Sequence, residues 1–205
     1  PAMVEAFVPF ERELAVMGCR GEGETDTFPV TETIHEEEIL RESVSPPRAP
    51  DERIAAARAV ARDVLAEMEG RGVYGIELFD TGEEILLNEI APRPHNSGHW
   101  TIEGCHTSQF EQHVRAVTGR PLGSTERRDP TVSVNILGDG DERREARLTG
   151  EQAVFERDRA HLHWYGKREV YPLRKTGHVT LTGDGEDTDE LLASARQLRD
   201  GLTFE

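Results

Sequence analysis

Fourteen residues, Leu87 to Trp100, hold more kinds of reactive side chain than any other stretch of the chain: Leu-Asn-Glu-Ile-Ala-Pro-Arg-Pro-His-Asn-Ser-Gly-His-Trp. An apolar approach ends in the Glu89 carboxylate. Pro92 and Pro94 then fix their own φ and bias the residue before each toward extended geometry, so Arg93, His95 and Asn96 stand on a stiff arm. Arg93 can grip an anion with two parallel hydrogen bonds, while His95 and Asn96 offer adjustable donors and acceptors. The plainer alternative is a Pro-rich surface loop with incidental polar groups.

A second carboxylate, Glu77, precedes Glu89 by twelve residues. Val73 to Asp80 and Glu84 to Ile90 read as a hairpin around Thr81-Gly82. An odd-length turn pairing Asp80 with Glu84 sets Glu77 opposite Leu87, on the face of Glu89; an even turn sets the two acids on opposite faces. On one face they form an oxygen-rich site suited to magnesium, which takes one or two carboxylates plus substrate phosphates. For the pair alone, the plainer reading is an amphipathic hairpin with its acids on the wet side. Further on, His161-Leu162-His163-Trp164-Tyr165-Gly166-Lys167 and Arg174-Lys175-Thr176-Gly177-His178 bring three cations, Lys167, Arg174 and Lys175, into one region. They suit a phosphate. His161 and His163 read as a strand with one packed face rather than as metal ligands.

The elements that must position these groups follow from periodicity. Met3 to Val8 and Glu13 to Cys19 read as strands, Gly21 to Glu24 as a turn, and Thr27 to Ile34 as one further strand ending near His35. Pro46, Pro47 and Pro50 form a stiff linker into the clearest helix, Asp51 to Met68. Asp51 is its expected N-cap, and Ile54, Ala57, Val60 or Ala61, Val64, Leu65 and Met68 form its apolar face. A second helix, Ser108 to Val117, is expected to bury Phe110, Val114 and Val117. A boundary near Leu122 to Asp129 divides residues 1–122 from 123–205. Beyond it come strands at Thr131 to Leu137, His161 to Tyr165 and His178 to Leu181, then a helix at Leu191 to Leu198. The fold class is α+β.

Composition narrows the partners. The 205 residues carry a net charge of −16 with 31% charged residues, which argues against nucleic acid or an anionic membrane. No apolar run approaches the roughly 20 residues of a membrane span, and no signal peptide opens the chain. Cys19 and Cys105 have neither disulfide nor metal spacing, as expected in a reducing cytoplasm. Of 24 basic residues only Lys167 and Lys175 are lysine. An acidic, lysine-poor chain is expected from a high-salt habitat, with Glu36 to Glu38, Asp139 to Glu145 and Asp184 to Glu190 as solvated runs. The two retained lysines then point to a need for an ammonium group.

Asn88 to Thr101, Ser108-Gln109-Phe110-Glu111, His161 to Lys167, His35 to Arg41 and Arg174 to Val179 resemble the 5-(carboxyamino)imidazole ribonucleotide synthase family of ATP-grasp ligases, over essentially the whole chain. The resemblance implies the later part of an ATP-grasp domain, an antiparallel sheet with helices, followed by a small β-rich C-terminal domain. It implies ATP-dependent carboxylation of 5-aminoimidazole ribonucleotide with bicarbonate, through carboxyphosphate, in purine biosynthesis, by a cytoplasmic homodimer. Glu77 and Glu89 would then hold Mg2+, with Asn88 beside them. Glu5, Ala6, Phe7 and Val8 would be the strand edge that binds adenine, Glu13 would take the ribose and His35 would lie near the nucleotide. Arg93, His95 and Asn96 would face bicarbonate and aminoimidazole as the catalytic group; Lys167, Arg174 and Lys175 would take the ribonucleotide phosphate. Tyr171-Pro172-Leu173-Arg174-Lys175 departs from the family's Arg-Pro-Gly-Arg-Lys, so the phosphate grip is expected to differ in detail. The family's N-terminal domain and ATP lid have no counterpart here, and the chain alone is expected to lack turnover. The rival readings are a formate-using ATP-grasp transformylase and a non-catalytic nucleotide-binding or assembly domain.

Overall fold

The computed structural model describes residues 4–185 and 187–205. In chain order its strands and helices are β1 (Arg12–Arg20), β2 (Thr25–Thr27), β3 (Thr31–Glu36), β4 (Ile39–Ser45), α1 (Asp51–Glu67), β5 (Gly72–Asp80), β6 (Ile85–Ala91), α2 (Thr101–Gly104), α3 (Gln109–Val117) and β7 (Thr131–Leu137). Then follow β8 (Arg144–Glu145), β9 (Leu148–Thr149), α4 (Gln152–Phe155), β10 (Ala160–Trp164), β11 (Glu169–Val170), β12 (Lys175–Thr182), α5 (Thr188–Asp200) and β13 (Thr203–Phe204). Nine strands make one antiparallel sheet, in the order β10-β12-β7-β4-β3-β1-β5-β6 with β2 on β1. The β4–β7 pair carries the sheet across the segment 122–129 without a break.

Alternation along the central strands decides the layers. Leu14 and Val16 of β1 and Ile76 and Leu78 of β5 project to one face, where α1 covers them with Ala57, Ala61 and Leu65. The small residues let α1 lie close: a Cβ on Gly18 would meet Leu65 Cδ1 at 2.7 Å. A second cluster, with Met17, Cys19, Phe28, Val73 and Trp100, fills the other face. A third packs α5 (Leu191, Leu192, Ala195) on β7 and β12 through Val132, Val134, Val179 and Leu181.

Several expectations are corrected. Residues 4–10 form no strand, and Met3 lies outside the described residues. The single strand over Thr27 to Ile34 is two, β2 and β3, split at Phe28-Pro29-Val30, where Phe28 and Val30 turn into the core. Sequence reasoning missed β4, hidden behind the acidic run, which is a turn with Glu37 and Glu38 at positive φ. Asp51 is the first helical residue rather than the cap; Pro50 holds the cap position. The largest reversal is α3. Phe110, Val114 and Val117 are exposed, and Gln109, Gln112 and Ala116 are buried. The two glutamines face inward because each amide clasps a backbone, Gln112 accepting from Gly123 N–H and donating to Gly123 O, both at 2.8 Å.

Candidate functional site

The long sheet has three breaks in register, and each adjoins a residue that lines one cavity. Asp80 pairs with Ile85, so the turn is even and an unbroken hairpin would set Glu77 and Glu89 on opposite faces. A bulge between Glu77 and Leu78 absorbs Asn88, and Glu77 comes directly opposite Glu89. In β3–β4 the shift falls between Ile34 and His35, with Arg41 the extra residue. In β12–β7 it falls between Lys175 and Gly177, with Thr176 extra. Bulges re-aim side chains, and these three sit where His35, Glu77, Glu89 and Lys175 turn inward.

The cavity has a volume of about 370 Å³, and Glu13, His35, Glu77, Asn88, Glu89, His95 and Lys175 line it together with Glu38 and Leu40. Four strands separate β5 from β12 in the sheet order, so only a strongly curled sheet brings Glu77 and Lys175 to one space. Donor atoms of Glu77, Glu89 and His95 lie within 4.8 Å of one another. His95 Nδ1 is 3.4 Å from Glu77 Oε1 and 3.0 Å from Ser97 Oγ. His35 Nδ1 lies against Glu13 Oε2.

Electrostatics mark this corner as short of positive charge. Burial, and after it Glu89, pushes the Glu77 carboxyl above its ordinary range, while His35 works the other way. Burial and the charge of Arg93 hold His95 below the usual histidine value, so it stays neutral near pH 7. Desolvation lowers Lys175 as well, with Glu77 favouring its charge. Two facing carboxylates with an imidazole beside them suit a divalent cation, which would relieve the repulsion that raises Glu77.

The other sequence-predicted residues are placed as follows. Glu5, Ala6, Phe7 and Val8 line an adjoining cavity of about 360 Å³ that shares Asn88 with the first. Its floor includes Phe79, stacked on Phe10 with ring centroids 4.6 Å apart. Arg93 is exposed and donates to Pro94 O, yet its charge acts on both His95 and Lys175. Asn96 Nδ2 is sealed from solvent without a partner. Lys167 is exposed and lines neither cavity. Arg174 points elsewhere too: it donates to Glu169 O at 2.8 Å, and its guanidinium lies over the Tyr171 ring, as does that of Arg143. Of the three cations grouped in sequence, the structure brings only Lys175 to the carboxylates.

Sequence reasoning missed the groups that hold the arm. Gln109, fully buried, accepts from His95 N–H and donates to His95 O, both at 2.8 Å. A second Gln109 donor reaches His99 Nδ1 at 3.0 Å. Gly75 lets the arm approach, since a Cβ there would meet His95 Cβ at 2.6 Å. A glycine inside the strand pattern Val-Tyr-Gly-Ile-Glu was the available signal. Behind the arm, His163 stacks on His178 at 4.3 Å and bonds Glu103 at 2.8 Å, and Tyr165 Oη meets His178 Nδ1 at 2.8 Å. Burial lowers His178 to about 2 and His99 to about 4, so these two imidazoles are neutral rings in a layer that joins β10 and β12 to the arm.

Comparisons with known proteins place the chain among relatives. A model of the ATP-grasp domain matches residues 1–110, and a model of the phosphoribosylaminoimidazole carboxylase C-terminal domain matches residues 131–193. The N5-carboxyaminoimidazole ribonucleotide synthase of Synechococcus elongatus is 42% identical over 201 residues, 97% of this chain and 50% of that protein. The phosphoribosylaminoimidazole carboxylase of Schizosaccharomyces pombe is 43% identical over 90% of this chain and 34% of its own length. Among solved structures, the N5-carboxyaminoimidazole ribonucleotide synthetase of Thermotoga maritima superposes with a TM-score of 0.88 at 43% identity, over 97% of this chain and 54% of that one. The Aspergillus clavatus synthase, in complex with ADP and 5-aminoimidazole ribonucleotide, superposes with a TM-score of 0.83 at 33% identity, over 95% of this chain and 52% of that one. The chain spans about half the length of the N5-carboxyaminoimidazole ribonucleotide synthases it matches.

Proposed function

The chain belongs to the ATP-grasp ligases, in the N5-carboxyaminoimidazole ribonucleotide synthase family, and from that premise we propose that it supplies the metal and carboxylation half of an ATP-dependent carbon–nitrogen ligase. The reaction is carboxylation of the exocyclic amine of 5-aminoimidazole ribonucleotide by bicarbonate that ATP has activated as carboxyphosphate. The observation that carries this reading is the bulge that sets Glu77 directly opposite Glu89, within metal-binding reach of each other and of His95.

Each residue then has a defined task. Glu77 and Glu89 hold Mg2+, with Asn88 beside them; bound there, the ion supplies charge neutralisation at the nucleotide phosphates. Adenine lies in the cavity of Glu5 to Val8, where Phe7, Phe10 and Phe79 offer apolar and aromatic surface. Glu13 and His35 take the ribose edge. Lys175, across the cavity from Glu77, stabilises negative charge that develops on transfer. Neutral His95 has a free lone pair to receive a proton from the attacking amine, with Ser97 Oγ within hydrogen-bond distance to steady the ring. Asn96 Nδ2 is an unused donor beside it. Arg93 adds the anion-binding charge at the rim, and Lys167 and Arg174 receive the ribonucleotide phosphate after rotating from their present positions.

A homodimer in the cytoplasm, which the family resemblance implies, belongs to the same proposal. So does adaptation to high salt, supported by a net charge of −16 and two lysines among 24 basic residues. The test is phosphate release from ATP by the intact protein, with 5-aminoimidazole ribonucleotide and either bicarbonate or formate. Stimulation by bicarbonate alone is expected. Stimulation by formate would move the reading to a transformylase, and Mg2+-nucleotide binding without turnover would make the domain non-catalytic.

A further inference from the structure

The sheet face turned away from Glu77 carries a second cavity, of about 670 Å³, between α1, the Pro46-Pro47 segment and residues 125–127. Arg58 and Arg62, one turn apart on α1, line it together with Arg127 and Thr27. In a chain this acidic, many of the guanidinium groups are taken by carboxylates: Arg12 and Arg53 by Asp80, Arg48 by Glu32, Arg196 and Arg199 by Glu42. Among the described residues no carboxylate lies within ion-pair distance of Arg58, Arg62 or Arg127. Asp26, Asp51 and Glu126 also line the cavity without pairing to these guanidinium groups: Asp26 accepts from Thr27 N–H and Thr125 Oγ1, each at 2.8 Å, and Asp51 and Glu126 are exposed.

Two of the lining residues also have polar atoms without partners. Arg58 Nε is sealed from water without a partner, and so is Thr27 Oγ1, on a residue only 4% exposed. Native structures leave few buried polar atoms unpaired, and two on residues lining one cavity call for a physical cause. Burial, with the nearby Arg58 adding to it, holds Arg127 below the usual arginine range, and no carboxylate is among the charges that act on it. Like charges one turn apart on a helix repel each other. An oxyanion between them would remove that repulsion and supply the missing acceptors.

We propose that this cavity binds a phosphate group, as inorganic phosphate or as the phosphomonoester end of a small metabolite, gripped by Arg58, Arg62 and Arg127. Guanidinium forks match phosphate oxygens two at a time, and the cavity is large enough for the group and a small carrier. The site lies across the sheet from Glu77, so its occupancy is independent of the metal corner.

Thermal unfolding and 31P NMR of the full chain, without Mg2+ and at constant ionic strength held with chloride, test this. Inorganic phosphate and ribose 5-phosphate are titrated separately. A melting temperature that rises with either ligand is expected, and the tighter of the two identifies the source. The double variant Arg58→Gln/Arg62→Gln should weaken binding by about tenfold or more, while its melting temperature in chloride shows that it folds. Lys175→Met, in the other cavity, should leave binding unchanged. A phosphate response kept by the double variant, or lost in Lys175→Met, overturns the proposal, as does the absence of any response in the parent protein.

Discussion

Glu77 and Asp80 stand three residues apart on β5, and their fates differ completely. Asp80 projects toward α1 and is fully buried, with Arg12, Arg53 and the Gly82 N–H on its oxygens. Burial alone would raise its pKa, but Arg53, Gly82 and Arg12 together outweigh it and hold the carboxyl below the ordinary range. Glu77 projects to the other face, where burial and Glu89 raise it. One carboxylate has both of its oxygens bonded within the fold. The other is held beside a second acid, with a neutral imidazole for company. A buried acid saturated with donors is part of the architecture; one left in deficit is kept for something that arrives from solution.

The largest test breaks the saturated member. Asp80→Asn leaves two guanidinium groups without their charge partner, and unfolding in urea should show a loss of about 3–5 kcal/mol. Mg2+ affinity of the folded fraction should not change. Glu77→Gln should do the reverse. Turnover of the intact protein in Mg2+-ATP should fall by about 10²–10³-fold, whereas the metal-free stability should hold or rise, because a repelled charge has been removed. If Glu77→Gln destabilised the metal-free protein as Asp80→Asn does, the contrast between the two acids would be wrong.

The same contrast has a pH signature with opposite signs. The folded pKa of Glu77 is raised, so its ionised form is a penalty that fades as pH falls through that raised value and is gone below about 4.3, its unfolded value. The stability advantage of Glu77→Gln should disappear over that window. The folded pKa of Asp80 is depressed, so its contribution is complete above about 3.9 and is lost as pH falls toward the lower folded value. The deficit of Asp80→Asn should therefore persist after the Glu77→Gln advantage has vanished. Melting temperatures of both variants and the parent from pH 7 to pH 3 would show the two windows in that order.

How much of this was legible in the sequence depends on range. The hairpin, α1 and the arm follow from periodicity and proline placement, which are local, and they sit where the pattern sets them. The facing of Glu77 and Glu89 was open, because it depends on turn parity and on a bulge at Asn88, and neither has a strong local signature. Residues 107–117 mislead in a different way. The apolar stripe of Phe110, Val114 and Val117 suggests a buried face, yet two glutamine amides outcompete it by pairing with backbone groups that would otherwise be orphaned in the interior. The cations split for a comparable reason. Lys167, Arg174 and Lys175 are close in sequence, but the bulge at Thr176 adjoins only Lys175, and Arg174 is drawn to Tyr171.

Those two glutamines sharpen the comparison at its smallest scale. Gln109 and Gln112 lie on one face of α3, and each clasps a backbone N–H and C=O. Gln112 holds Gly123, a loop remote from the carboxylates; Gln109 holds His95 and thereby the arm. Methionine at either position keeps the volume and removes both hydrogen bonds, so each variant should lose about 1–3 kcal/mol of stability from the stranded backbone groups. Only Gln109→Met frees His95 from its place beside Glu77. Turnover of the intact protein should fall by about 100-fold, as expected when the proton acceptor is misplaced, while Gln112→Met turns over normally. Equal losses of turnover in both variants would mean that the arm is held by packing on α3 as a whole, and that Gln109 has no positioning role of its own.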